Sequence, residues 1–328
     1  MSSPYFNPFI DLQFTPTTCF LTGENLKDNV EYISVFPEWL MKRFSLREKK
    51  FKMMDSFTSV SYSDLKLPCS IKVKQAFDTL ETEIEFAFEN GINSLKNLNE
   101  NRLLVWMSKI IYGILYHDIS FELEKAKRRQ DTFKISTTLQ NRFSILQLYL
   151  QSIIYPVTFK NNLPCSICIV NTKYSEDVFN YKDDTVNLVF FLGMKNFGIV
   201  ACLMDNGIVK NEQMEIVKKI DTAVLHPIQF EELCARYIYT NYLLQSQFKF
   251  QINLINNKVE IEFIPTEQKK ALAMLWDDEM FSQVLSQYWQ PWGIQKKDII
   301  KFPNAPISFL IDEVSNEFIL PESINFPF

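Results

Sequence analysis

Apolar side chains recur at helical spacing over residues 70–89, where Val73, Ala76, Phe77, Leu80, Ile84, Ala87 and Phe88 share a face and Gly91 follows as a stop. This spacing predicts an amphipathic helix of about five turns. Leu103, Leu104, Trp106, Met107, Ile110, Ile111, Ile114 and Leu115 predict a second helix, with an apolar surface wide enough to be mostly buried. A third is expected over 141–155, closed by Pro156. Residues 1–68 are punctuated by Pro and Ser and predict loops with small strands or short helices.

Beyond Pro156 the pattern turns to β-type runs at 165–170, 186–192 and 197–204, the last leading into the turn Asp205-Asn206-Gly207. Residues 251–255 and 259–264 flank Asn256-Asn257-Lys258 as a further hairpin, and helical spacing appears at 229–244 and 266–288. The expected fold class is α+β: a mainly helical domain over 1–155, then an α+β domain with a mainly antiparallel sheet over 156–328.

With 328 residues, 47% of them hydrophobic, the chain can bury one large core or two medium ones. A net charge of -5 argues against polyanion binding through bulk charge, so any nucleic-acid contact must be local. Residues 1–150 carry 19 Lys and Arg against 18 Asp and Glu, a net +1, and the remainder is at -6; the first half is therefore where such a contact belongs. Seven glycines, with no GxGxxG and no GxxxxGK[ST], argue against the two common phosphate-cradling loops. The N-terminus has neither a basic region nor an apolar run after it, and no stretch reaches membrane-spanning length. A cytoplasmic chain with no membrane partner is expected. Six scattered cysteines read as thiols or metal ligands rather than as a disulfide frame.

Over residues 19–116 the order of features resembles the HNH, or ββα-metal, endonuclease family. That family carries a CxxC knuckle, a Glu-His-x-x-Pro-x-Trp-Leu stretch with the catalytic His, a second CxxC-Asn before a helix with a Leu-Glu pair, and a later Trp helix. Here Cys19 and Thr22 stand for the first knuckle. Ile33 and Ser34 precede Val35-Phe36-Pro37-Glu38-Trp39-Leu40 where Glu and His would stand. Cys69 and Lys72 stand for the second knuckle, with Val73 in place of Asn; Leu80-Glu81 and Trp106 keep the family register. The resemblance implies a degenerate module. Two thiolates do not close a tetrahedral zinc site, and Lys72 would place a cation in it. Ser34 does not titrate near neutral pH and cannot serve as the base, and neither of the two histidines, His117 and His226, matches a motif position. The expectation is therefore a non-catalytic scaffold with no cofactor or metal, its zinc crosslink replaced by a core rich in the 29 phenylalanines.

Other constellations carry less chemistry. Cys165-x-x-Cys168 could be a redox pair or half a metal site, but its β-type run favours buried strand thiols. His226, before Pro227, reads as a helix cap, and Cys234 lies about 12 Å along the same helix, too far for a dyad. Asp277-Asp278-Glu279 point in different directions on a helix. Trp289 and Trp292 resemble an interface anchor, but packing of the pair at a helix end is favoured. Lys125, Lys127, Arg128 and Arg129 read as a solvated face or linker, with a basic patch as the rival. The reading is a scaffold with a protein partner. Its first alternative is nucleic-acid binding without cleavage through Lys42, Arg43, Arg47, Lys49, Lys50 and Lys52, or through Lys125 to Arg129; its second is an enzyme with its site in the C-terminal sheet domain.

Overall fold

The structure is a computed structural model that describes residues 5–27, 29–160, 164–244, 248–255, 258–265, 275–300, 305–312 and 314–324. In chain order it forms α1 (Pro8–Asp11), β1 (Glu31–Ser34), α2 (Glu38–Arg43), β2 (Lys50–Lys52), β3 (Ser59–Ser61), β4 (Lys66–Cys69), α3 (Ile71–Glu89), α4 (Ile92–Asn97), α5 (Glu100–Arg129) and α6 (Thr137–Gln151). There follow β5 (Val157–Phe159), β6 (Ser166–Thr172), β7 (Phe179–Asp184), β8 (Val189–Met194), β9 (Phe197–Cys202), α7 (Ile208–Glu212), α8 (Met214–Ile220), β10 (Val224–Leu225), α9 (Pro227–Leu244), β11 (Phe248–Ile255), β12 (Lys258–Pro265), α10 (Asp278–Trp289) and α11 (Lys296–Ile299). Helices and mainly antiparallel sheets give an α+β fold. These elements fall into two compact units, one of residues 1–90, 97–158 and 252–261 and the other of 91–96, 159–251 and 262–328.

In the first unit, α3 buries Val73, Phe77, Leu80, Ile84, Ala87 and Phe88, the stripe its sequence spacing sets, and ends before Gly91 at φ +81°. α5 is much longer than its apolar run predicts. Asn99 caps its start by accepting from the Asn101 N–H, residues 103–116 are nearly all buried, and the exposed basic residues 127–129 extend the helix to a left-handed cap at Gln130. Lys125 to Arg129 are thus the last turns of a helix rather than a linker, where cations also complement the helix dipole. α6 starts and ends four residues before the sequence expectation, because Ser136 supplies an N-cap and the chain turns at 152–155 ahead of Pro156. β1 and β4 pair antiparallel with Ser34 opposite Lys66 and Glu31 opposite Cys69; α3 packs against β1 and α5.

The second unit is organised by a five-stranded sheet in the order β10-β6-β9-β8-β7, antiparallel except for the β10–β6 pair. α9 crosses it, with the Phe230 ring so close over Gly198 that a Cβ there would lie 2.3 Å from the ring. The strand expected at 186–192 begins at Val189, because Asp184 accepts from both nitrogens of Asn187 and closes a turn before it. β7 was not expected: its sequence, FNYKDD, alternates only over its first four residues and is half-buried at every position. β11 and β12 are neighbouring strands, as their alternation predicts, and Asn256-Asn257 lie outside the described residues. Residues 266–274 of the expected 266–288 helix also lie outside them; the described part is α10, started by Asp277, whose side chain accepts from the Met280 N–H.

Candidate functional site

The β1–β4 pair and α3 of the first unit enclose a groove of about 410 Å3, lined by Ser34, Glu38, Trp39, Asp78, Glu81 and Lys109 among others. Its floor is a closed polar network. The Lys109 ammonium, 1% exposed, donates to Glu81 Oε1 at 2.5 Å and to the Ser34 carbonyl at 2.9 Å. Trp106 Nε1 donates to the other Glu81 oxygen at 3.1 Å. Ser34 Oγ donates to Glu38 Oε1 at 2.9 Å, and Arg47 holds Glu38 Oε2. At the rim Lys74 pairs with Asp78, and Glu85 is shifted above the usual carboxylate range by burial and by Glu89 and Glu81.

Glu81, which shares Lys109 with the Ser34 carbonyl, is already compensated by an ammonium, so a divalent ion beside it would meet like charge at contact distance. Ser34 spends its hydroxyl proton on Glu38. Among the described residues no three His, Cys, Asp or Glu side chains are grouped so as to hold a metal ion.

Cys19 and Cys69 are fully buried and face the same interior, and burial together with Cys19 pushes the Cys69 thiol up to about 12. Cys69 is therefore not poised to act as a thiolate. The turn the two cysteines flank is held by other means. Cys19 N–H donates to the Glu24 carbonyl and Gly23 N–H to the Cys19 carbonyl, at 2.8 and 2.9 Å. Phe20 N–H reaches the Pro68 carbonyl, the Phe20 carbonyl accepts from buried Gln147, and the Phe20 ring packs on Phe77 and Tyr112. Gly23 sits at φ +72° under the Phe6 ring, a position a side chain would both strain and obstruct. Thr22 only closes this turn, accepting from the Glu24 N–H. Lys72 corrects its sequence reading: it is exposed on α3 rather than buried with the two thiols.

His117 lines a second groove of the first unit, about 520 Å3, where its Nε2 lies 3.1 Å from both the N–H and the carbonyl of Lys66. Burial holds the imidazole below its usual range, so it stays neutral and fixes β4. Of the basic residues singled out in the sequence, Lys42, Arg43, Lys49, Lys50 and Lys52 are exposed, while Arg47 is taken by Glu38.

In the second unit, Cys168 lies in the core under α9, whereas Cys165 precedes β6 and is not part of that core cluster. Burial raises the Cys168, Cys202 and Cys234 thiols. His226 caps α9, its Nδ1 accepting from the Ile228 N–H at 3.2 Å; Glu231 and Glu232 lie beyond the first turn and are buried. Glu232 accepts from Arg236, from Ser308 Oγ and from the N–H groups of Phe309 and Leu310. Trp289 is fully buried, donating to the Ile228 carbonyl and packing on Phe309, and Trp292 is half-buried against the same core. Trp289 therefore packs at the helix end, while the Trp292 ring stays partly exposed.

Sequence reasoning missed Lys109, Glu38 and the partnership of Glu81 with Trp106. The signal was present: Lys109 lies inside the apolar stripe of α5, and a charge in a buried stripe requires a partner. Comparison with protein-family models, with curated proteins and with solved structures returns no match to this chain.

Proposed function

We propose that this chain is a non-catalytic interaction protein whose first unit is a degenerate ββα module. The observation that carries this reading is the Lys109 ammonium, bonded to Glu81 and the Ser34 carbonyl where the resemblance would put metal and base. The strand–strand–helix order of β1, β4 and α3 supports the same reading, as does the packing of Cys19 and Cys69 without further ligands. Purified protein incubated with plasmid DNA or with RNA and Mg2+, Mn2+ or Zn2+ is expected to leave both intact. Metal-dependent nicking that disappears in Glu81→Gln would overturn the proposal.

A second reading, that the module engages nucleic acid without cutting it, is favoured by one contact. Lys125 Nζ reaches Asp55 at 2.9 Å, which ties the basic end of α5 to the hairpin that carries Lys50 and Lys52. Two basic segments far apart in sequence thus share one edge of the unit. Binding of this kind should weaken steeply with salt, because each neutralised phosphate releases counterions. Affinity that does not respond to salt would rule it out.

A further inference from the structure

The β2–β3 hairpin ends in a turn that presents its most apolar residue to solvent. Phe57 is 93% exposed and Met54 51%. An exposed hydrophobic side chain standing alone requires no explanation. This one differs because its backbone is fixed on every side. Met53 N–H donates to the Thr58 carbonyl and Ser56 N–H to the Met53 carbonyl, both at 2.9 Å, with Ser56 in the left-handed region at φ +60°. Asp55 accepts from the N–H groups of Phe57 and Thr58 at 3.0 and 2.7 Å and from Thr58 Oγ1 at 2.6 Å. These bonds, with Lys125, hold its carboxyl well below the usual range. The tip is docked on α5 through Met54 N–H to Asp118 Oδ1 at 3.1 Å and through the Lys125 bridge to Asp55 and Glu122.

The fold thus fixes the backbone beneath a solvent-exposed aromatic ring, which lowers the ordering cost of any contact the turn makes. Around it the charges are sorted. The acids at its base are used internally: Asp55 and Glu122 by Lys125, Asp118 by the Met54 N–H, Glu124 by Arg128. The cations on the stem and at the end of α5, Lys50, Lys52, Lys127 and Arg129, are exposed and make no ion pair among the described residues. A flat apolar ring flanked by cations that no carboxylate holds among the described residues, Lys50 donating one hydrogen bond to Ser61 Oγ at 3.0 Å, matches a nucleobase joined to phosphates: the ring stacks on a base of either kind, and the lysines take the backbone.

Resting on the nucleic-acid reading above, we infer that the β2–β3 hairpin is a stacking finger, with Phe57 engaging an unpaired base of a single strand while Lys50 and Lys52 neutralise adjacent phosphates. The test uses the full chain and short single-stranded DNA and RNA oligonucleotides carrying a fluorescent adenine analogue, titrated over a range of salt. Wild type should bind and quench the analogue. Phe57→Ala should weaken binding about 5- to 150-fold and abolish quenching with the salt slope unchanged, and Phe57→Trp should restore both. Lys50→Gln with Lys52→Gln should instead lower the salt slope by about 1 to 2. Stronger binding of DNA or of RNA identifies the strand, and either supports the finger. Binding and quenching that Phe57→Ala leaves intact would overturn the finger while sparing the nucleic-acid reading. Absence of binding at low salt would overturn both, and a protein partner lost on Phe57→Ala without nucleic acid would reassign the hairpin to that partner. Because Phe57 is so exposed, an unchanged Tm in each variant separates these outcomes from misfolding.

Discussion

At the scale of single residues, the groove in the first unit is governed by one buried charge. Removing Glu81 would leave the Lys109 ammonium with only the Ser34 carbonyl in a site almost without water. Glu81→Leu is therefore expected to cost about 3 to 5 kcal/mol in urea unfolding, whereas Lys109→Met with Glu81→Leu should recover most of it. Equal loss in the single and double variants would show that the pair does not act as a unit. In the second unit, burial pushes the Asp205 carboxyl up to about 6 from 3.8, against hydrogen bonds from Ser166 Oγ and Val209 N–H. A folded value above the unfolded one means that the folded state holds the proton more tightly. The stabilisation is complete below about pH 4 and is lost as pH rises through about 6, about 3 kcal/mol in all. Asp205→Asn removes this titration, so its stability relative to wild type should climb by that order between about pH 4 and 7. A difference that stays flat across that range counts against the assignment.

At the scale of elements, α5 is the member on which the first unit is assembled. It supplies Trp106 and Lys109 to the groove, and Asp118 and Lys125 to the β2–β3 hairpin; between them Gly113 lets it approach the chain just after β1. A Cβ at Gly113 would stand 2.3 and 2.7 Å from the two methyls of fully buried Val35. Helix propensity alone favours Ala there by about 0.5–1 kcal/mol. Overpacking of about 1–3 kcal/mol should outweigh it. Gly113→Ala is thus expected to lower Tm and Gly113→Ala with Val35→Ala to regain part of the loss; a single variant as stable as wild type would mean that the Val35 side chain can yield. The extent of α5 was only partly legible, because the apolar run stops near residue 116 while the helix continues on capping and polar side-chain contacts.

At the scale of the whole molecule, the proposal that hydrogen bonds and aromatic packing around Phe20 have replaced a metal crosslink has a direct thermal consequence. Prolonged treatment with a strong chelator should leave Tm unchanged, and a fall of several degrees would mean that a structural metal is present. Among the described residues no helix is long and apolar enough to cross a membrane. The α+β class, the helical face of α3, the antiparallel runs and the cap at His226 were written in local pattern, since periodicity, capping and turn chemistry act over a few residues. The positions of Cys19, Cys69 and Glu81 were also marked in the sequence, by agreement with the family pattern, and that of Ser34 by its departure from it. Local pattern did not show that Lys109 would neutralise Glu81, that Trp289 would be buried, or that Lys125 would meet Asp55 across 70 positions. Those are pairings between distant segments. They form because a charge or a ring leaving water must find its partner in whatever stands beside it once the chain has packed, and only the tertiary structure decides which residue that is.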